Sequence, residues 1–393
     1  MYSEDDINSA VAAGAISPEA AKGFRTYMTE VREIPRGSEE NFRLINSFND
    51  IFVAIGIVIL LLAVGAIGQA IAGIISPAES FYEFYNGNGE PSQAEMDAWR
   101  AASNLKEALQ ISLAGLFVAA ISWPLAEFFT RRRRMALPSI LLLLAFVGGV
   151  FATFLGLGIY SVESGGERLG AVMVSLSALL AALAAFLHWR RFMVPITVAA
   201  GAAAIAGTVI ALVAAVIGPD ALEEETMLLL VFMAGLAVFA FAMRWDISDR
   251  ERTSRRSDVA FWLHLLAAPM IAHPIFALLG VTDGDDLGIG AAVGVVAVYI
   301  GFGLIALTID RRALLVSALA YVLFALTFLF REFGAVELNF ALTALVIGSA
   351  LLSLSAFWVP IRRSVVSALP ESIQDRLPMT ADAPEAATPA TPA

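Results

Sequence analysis

Residues 51–75 read IFVAIGIVILLLAVGAIGQAIAGII, an unbroken run without a charged side chain. At about 1.5 Å of rise per residue, a helix of this length outreaches the roughly 30 Å hydrocarbon core of a bilayer. Lipid offers no partner to backbone N–H and C=O groups, so such a run satisfies them internally, as a helix. The pattern recurs at 109–129, 136–162, 169–188, 193–218, 226–243, 259–281, 289–309, 313–330 and 336–359. Composition agrees: 59% of residues are hydrophobic and 16% charged, where a soluble domain carries about 25% charge. The expected fold is all-α, a polytopic bundle of about ten transmembrane helices.

Charge placement orients the bundle. The basic residues fall into alternate connections. They are Lys22, Arg25, Arg32, Arg36 and Arg43 before the first span, Arg131 to Arg134, then Arg190 and Arg191. Arg244, Arg250, Arg252, Arg255 and Arg256 follow, then Arg311 and Arg312, and Arg362, Arg363 and Arg376 in the tail. All but four of the 25 Lys and Arg (Arg100, Lys106, Arg168 and Arg331) lie on that one side. The positive-inside bias therefore puts both termini in the cytoplasm. The arginines at 131–134 are expected to touch anionic lipid head groups, not nucleic acid. The polar N-terminal stretch lacks the basic and apolar regions of a signal peptide, which leaves the first span as its own insertion signal.

Three regions are expected. Residues 1–50 form a cytoplasmic helical segment with an interfacial helix, 51–359 the bundle, and 360–393 a cytoplasmic tail. Gly14 is placed to end one short helix and Ser17-Pro18 to start a second, which runs to about Val31. Phe42, Ile45, Phe48 and Phe52 share a stripe that would lie along the interface. In the connection 76–108, a turn at 86–89 precedes a helix that starts at Ser92, with Glu95 completing a capping box. From about residue 378 the tail is Ala, Pro and Thr, too poor in apolar surface to fold. Gly290 and Gly294 form a GxxxG pair, and the Ala-rich stretch 193–218 is expected to pack tightly.

The opening Gly14-Ala-Ile-Ser17-Pro-Glu19-Ala-Ala21, followed by a run of spans, resembles a group of uncharacterised bacterial predicted membrane proteins. In that group a short cytoplasmic helical domain precedes a polytopic region. The resemblance covers roughly the first 70 residues. It implies a location in the bacterial cytoplasmic membrane and brings no catalytic residue or cofactor. Arg outnumbering Lys suits a bacterium of high genomic GC content.

The densest ionisable cluster is Arg244, Asp246, Asp249, Arg250, Glu251, Arg252, Arg255, Arg256 and Asp258, leading into a span with Trp262, His264, Pro269, His273 and Pro274. Ionisable residues within a span are costly and face the bundle interior or a water-filled cavity. Each proline removes a helix hydrogen bond, freeing the carbonyls of Leu265 and Met270. A kinked helix beside a neutral imidazole is a candidate cation or proton relay. The bland readings are an ion-paired loop, and histidines that bond a neighbouring helix or snorkel to the interface. Nine residues at about 100° each put His264 and His273 on opposite faces, which argues against a shared metal. His188 reads as an interface residue. Glu127 and Asp310 read as span ends beside Arg131 and Arg311.

The chain has no Cys, which excludes disulfides and thiolate chemistry. It shows no Ser-His-Asp spacing, HExxH, phosphate loop or buried acidic pair, which weighs against an enzyme. Two functions stand. One is a small-solute or lipid-related transporter. The other is a non-transporting scaffold or sensor whose N-terminal helices bind a cytoplasmic partner. An intramembrane lipid enzyme using His264 or His273 as base is a weaker third.

Overall fold

In the computed structural model, which describes residues 7, 10–24, 48–77, 80, 81, 84, 85, 91–252, 254–281, 288–333 and 337–378, every apolar run is helical. Ten helices are long and apolar enough to cross a membrane: α1 (Phe48–Ile75), α2 (Gln93–Arg132), α3 (Ala136–Ile159), α4 (Gly166–Phe192), α5 (Ile196–Ile217), α6 (Glu224–Ile247), α7 (Arg255–Leu278), α8 (Ile289–Ile309), α9 (Ala313–Glu332) and α10 (Asn339–Ala356). The chain is a polytopic helical membrane protein, and no strand occurs among the described residues. The final stretch adds two short helices, α11 (Trp358–Ser367) and α12 (Glu371–Gln374).

Several helix limits follow from local chemistry. Ser92 caps α2: its side chain accepts from the Glu95 amide while the Glu95 carboxylate accepts from the Ser92 amide, as a capping box requires. The helix it starts runs unbroken into the second span. Its 40 residues measure about 60 Å, twice the hydrocarbon thickness. The first turns of α2, with Asp97, Arg100 and Lys106, therefore project beyond the apolar layer. At the other end, Pro124 interrupts the hydrogen-bond ladder, and Glu127–Arg132 widen into a π-helical turn. Gly166 separates α3 from α4 with φ 74° and ψ 178°, a backbone state closed to L side chains. The last span is shorter than the expected 336–359: it breaks at Phe357, and α11 starts at Trp358.

The packing devices differ from the expected ones. Gly290 has open space around it and Gly294 meets only the tip of Leu279, so that pair forms no helix seam. Glycines elsewhere do. A Cβ on Gly149 would sit 2.6 Å from the Gly115 carbonyl oxygen, and one on Gly68 would sit 2.7 Å from the Leu113 carbonyl oxygen. Small residues thus bring α1, α2 and α3 backbone to backbone. The Ala-rich α5 begins at Ile196, after Pro195, and lays Gly201 and Gly207 against Ala185 and Ala178 of α4. Its other face, with Ile205, Val209, Leu212 and Val216, is exposed to the lipid layer.

The centre of the second half is α7. In its apolar window 56% of residues are buried, against 17–33% in the other spans. Leu263, Ala267, Ala268, Ala272 and Phe276 of α7 join Val295 of α8 and Ala318 and Val322 of α9 in one core. α7 runs through Pro269 and Pro274 without ending.

At the N-terminus, Gly14 takes φ 71° and the Ser17 hydroxyl accepts from the Ala20 amide, the two short-helix limits expected there. The helix end near Val31, the stripe residues Phe42 and Ile45, the turn at 86–89 and the tail beyond Pro378 lie outside the described residues.

Candidate functional site

The connections rich in arginine meet at one end of the bundle. Arg191, at the end of α4, holds Glu127 of α2 through two bonds of 2.5 and 3.0 Å. The more deeply buried network lies in the second half, and it is built from helix ends.

α6 ends on a turn whose inward face carries Asp246, 1% exposed. Asp249 follows, and its carboxylate accepts from the Ser254 hydroxyl at 2.7 Å and the Ser254 amide at 3.1 Å. That contact fixes the start of α7, where Ser254 itself caps the helix through the Arg256 amide. Two and a half turns into α7, His264 turns inward and its Nε2 lies 2.8 Å from Asp246 Oδ2. A carboxylate has no proton to give, so Nε2 is the donor. α8 closes on Asp310 in the left-handed conformation (φ 56°, ψ 45°), one of the few residue types that tolerates it. This turn sends Arg311 back into the bundle. Its guanidinium donates to Asp246 Oδ1 at 2.6 Å and to the carbonyl and hydroxyl of Ser257, both at 3.1 Å.

Asp310 anchors the other half of the network. It accepts from Arg252 Nη1 at 2.8 Å and from the Trp358 indole N–H at 2.7 Å, while Arg362 Nε stands 3.7 Å away. Arg362 in turn donates to the Pro378 carbonyl at 2.7 Å, and Arg250 to the Leu377 carbonyl at 2.9 Å. The segment from Trp358 to Pro378 is thereby fastened onto the α6–α7 connection and the end of α8. Burial pushes the Arg252 and Arg362 guanidinium pKa values down, the neighbouring Arg311 adds to this at Arg252, and Asp310 opposes it at both.

Of the residues singled out from the sequence, Asp246, Asp249, Arg252 and His264 thus come together. Arg244 is exposed on α6. His273 lies on the outer face of the bundle with Nδ1 2.7 Å from the Tyr321 hydroxyl. Asp258 and Trp262 line a separate cavity of about 600 Å³ beside α7. Its other walls are Thr130, Arg131 and Arg134, the start of α3 (Met135, Ser139, Ile140), the α4–α5 connection (Phe192 to Ile196) and Arg255.

Three placements go beyond the sequence reading. His188 is fully buried in the bundle: it sits among Trp123, Phe146 and Phe192, with Nδ1 3.3 Å from Thr197 Oγ1. Asp310 is held by Arg252, Trp358 and Arg362, while its neighbour Arg311 reaches across to Asp246. Trp358 and Arg362 carry a network in which sequence reasoning gave them no part. The legible signal was an acid, Asp310, at the end of a span on the arginine-rich side.

The network contains four guanidiniums (Arg250, Arg252, Arg311 and Arg362), three carboxylates (Asp246, Asp249 and Asp310) and a histidine, and the Ser257 hydroxyl is bonded to Arg311. Its chemistry is cross-linking of helix ends. No protein-family model, curated protein or solved structure matches the chain. Fold and site together define a multi-pass helical membrane protein whose terminal segment is tied to the bundle by buried charge.

Proposed function

We propose that the chain is a multi-pass protein of a bacterial cytoplasmic membrane, with the arginine-rich end and both termini in the cytoplasm. We further propose that it acts as a non-transporting sensor or scaffold. The observation that carries this reading is the attachment of residues 358–378 to the α6–α7 connection and the end of α8 through Arg250, Trp358 and Arg362. A shift of either of those elements must break or move buried ion pairs, and the surface formed by the terminal segment moves with them. The N-terminal helices supply a second cytoplasmic surface for a protein partner, and Arg131 to Arg134 gather anionic lipid head groups at the membrane.

The transporter reading has one observation in its favour, the 600 Å³ cavity at the arginine-rich end. The residue best suited to a proton relay in sequence, His273, lies on the outer face instead and is occupied by Tyr321.

Two measurements separate the readings. Proteoliposomes are assayed for uptake of labelled solutes and for flipping of labelled lipids. A sensor gives no flux above empty vesicles, and robust flux of any substrate overturns the proposal. In parallel, removal of residues 1–36 abolishes partner capture by a scaffold and leaves a transporter's flux intact.

A further inference from the structure

The cavity beside α7 has the composition of a head-group site. Its rim carries Arg131, Arg134 and Arg255 against one carboxylate, Asp258, so its walls are net positive. Arg131 is shared with Glu127 at 3.4 Å, whereas Arg134 and Arg255 form no ion pair among the described residues. Three spans begin around it: α3 after Met135, α5 after Pro195 and α7 after Ser254. Neither α3 nor α5 has a side-chain cap, so the positive end of each helix adds to the basic lining. Arg134 and Met193, which bracket these starts, both adopt a left-handed φ of 54°.

The rest of the wall is apolar: Ile140, Phe192, Met193, Ile196 and Trp262. A bare phosphate makes no use of such a surface. The volume of about 600 Å³ equals the share of about 20 waters, more than an inorganic ion needs. Its position, at the ends of membrane-crossing helices, is the level where lipid head groups lie.

We infer that this cavity binds the phosphate head group of an anionic phospholipid. Arg134 and Arg255 hold the phosphate oxygens, and the Ile140–Trp262 wall receives the glycerol and the first acyl carbons. Asp258 accepts a hydrogen bond from a head-group hydroxyl. The inference goes beyond the sensor reading and stands whether or not the chain transports anything.

The test uses the full-length chain purified in detergent, with bound lipid counted by native mass spectrometry. Phosphatidylglycerol is the probe, and phosphatidylcholine and inorganic phosphate are the comparison arms. Wild type is expected to retain phosphatidylglycerol at least ten times more strongly than phosphatidylcholine. Arg134→Gln with Arg255→Gln lowers that retention at least tenfold. Arg244→Gln with Arg363→Gln removes the same charge from exposed positions outside the cavity lining and leaves retention unchanged. Displacement of the lipid by millimolar inorganic phosphate supports the same phosphate chemistry with a soluble source. Equal loss in both double variants, or equal retention of phosphatidylcholine, overturns the inference. If the first double variant fails to fold, Arg255→Gln alone changes one exposed side chain, and a loss below twofold is the refuting result.

Discussion

Replacing Asp246 with alanine removes the carboxylate on which two helices converge. Arg311 is 3% exposed and would keep the carbonyl and hydroxyl of Ser257, both at 3.1 Å, but lose the carboxylate that balances its charge. His264, 2% exposed, would lose its one acceptor for Nε2. Stranding a buried charge in this way costs about 3–5 kcal/mol. Arg311→Met costs a similar amount, because Asp246 is then left with His264 alone. The informative variant is the pair, Asp246→Leu with Arg311→Met, which removes both charges and fills the space with apolar groups. Such exchanges are often neutral or stabilising, and the residual cost is an unbonded imidazole, about 1–3 kcal/mol. Thermal denaturation of the detergent-purified protein, read as the monodisperse fraction remaining, gives all three stabilities. The double variant is expected to lie well above the sum of the singles, with a coupling of several kcal/mol. Single variants within about 1 kcal/mol of wild type, or a strictly additive pair, would refute the buried-network argument.

Other outcomes follow from the same geometry. Trp358→Ala deletes the 2.7 Å bond to Asp310 and the face on which Arg312 rests at 4.6 Å. Limited proteolysis should then cut after residue 357 faster than in wild type, with the spans intact. Gly149→Val places a side chain where a Cβ already falls 2.6 Å from the Gly115 carbonyl oxygen. The cost is about 1–3 kcal/mol or more, because both neighbours are backbone. Tyr321→Phe removes the partner of His273 on the outer face and should cost only about 0.6 kcal/mol, an average inter-helix hydrogen bond in a membrane. Thermal denaturation distinguishes this from the far larger Asp246 effect.

The fold was readable because lipid imposes a single rule on the backbone: every long apolar run becomes a helix, whatever its neighbours. All ten spans follow from that rule, and the Ser92–Glu95 cap is equally local. The pairings were less legible. Asp246, His264, Asp249 and Arg252 stood out because charge near a span is costly, but Arg311 and Asp310, the partners of Asp246 and Arg252, lie at the end of α8, far along the chain. Arg311 looked like a topology anchor because its basic neighbours are one. Arg311 and Arg312 are adjacent, yet after the left-handed turn at Asp310 one points inward to Asp246 and the other lies over the Trp358 ring. The glycine seam had the same obstacle. A GxxxG spacing marks glycines on one helix, whereas Gly115 and Gly149 meet across two, which needs the register of both.

Because the chain has no native Cys, single-cysteine variants report topology against a blank background. Ser248→Cys sits between α6 and α7, and Glu337→Cys precedes α10; both positions are exposed. With a membrane-impermeant maleimide on intact cells, the account predicts labelling at position 337 and none at 248 until the membrane is opened. Labelling of both positions, or of 248 alone, in intact cells would contradict it.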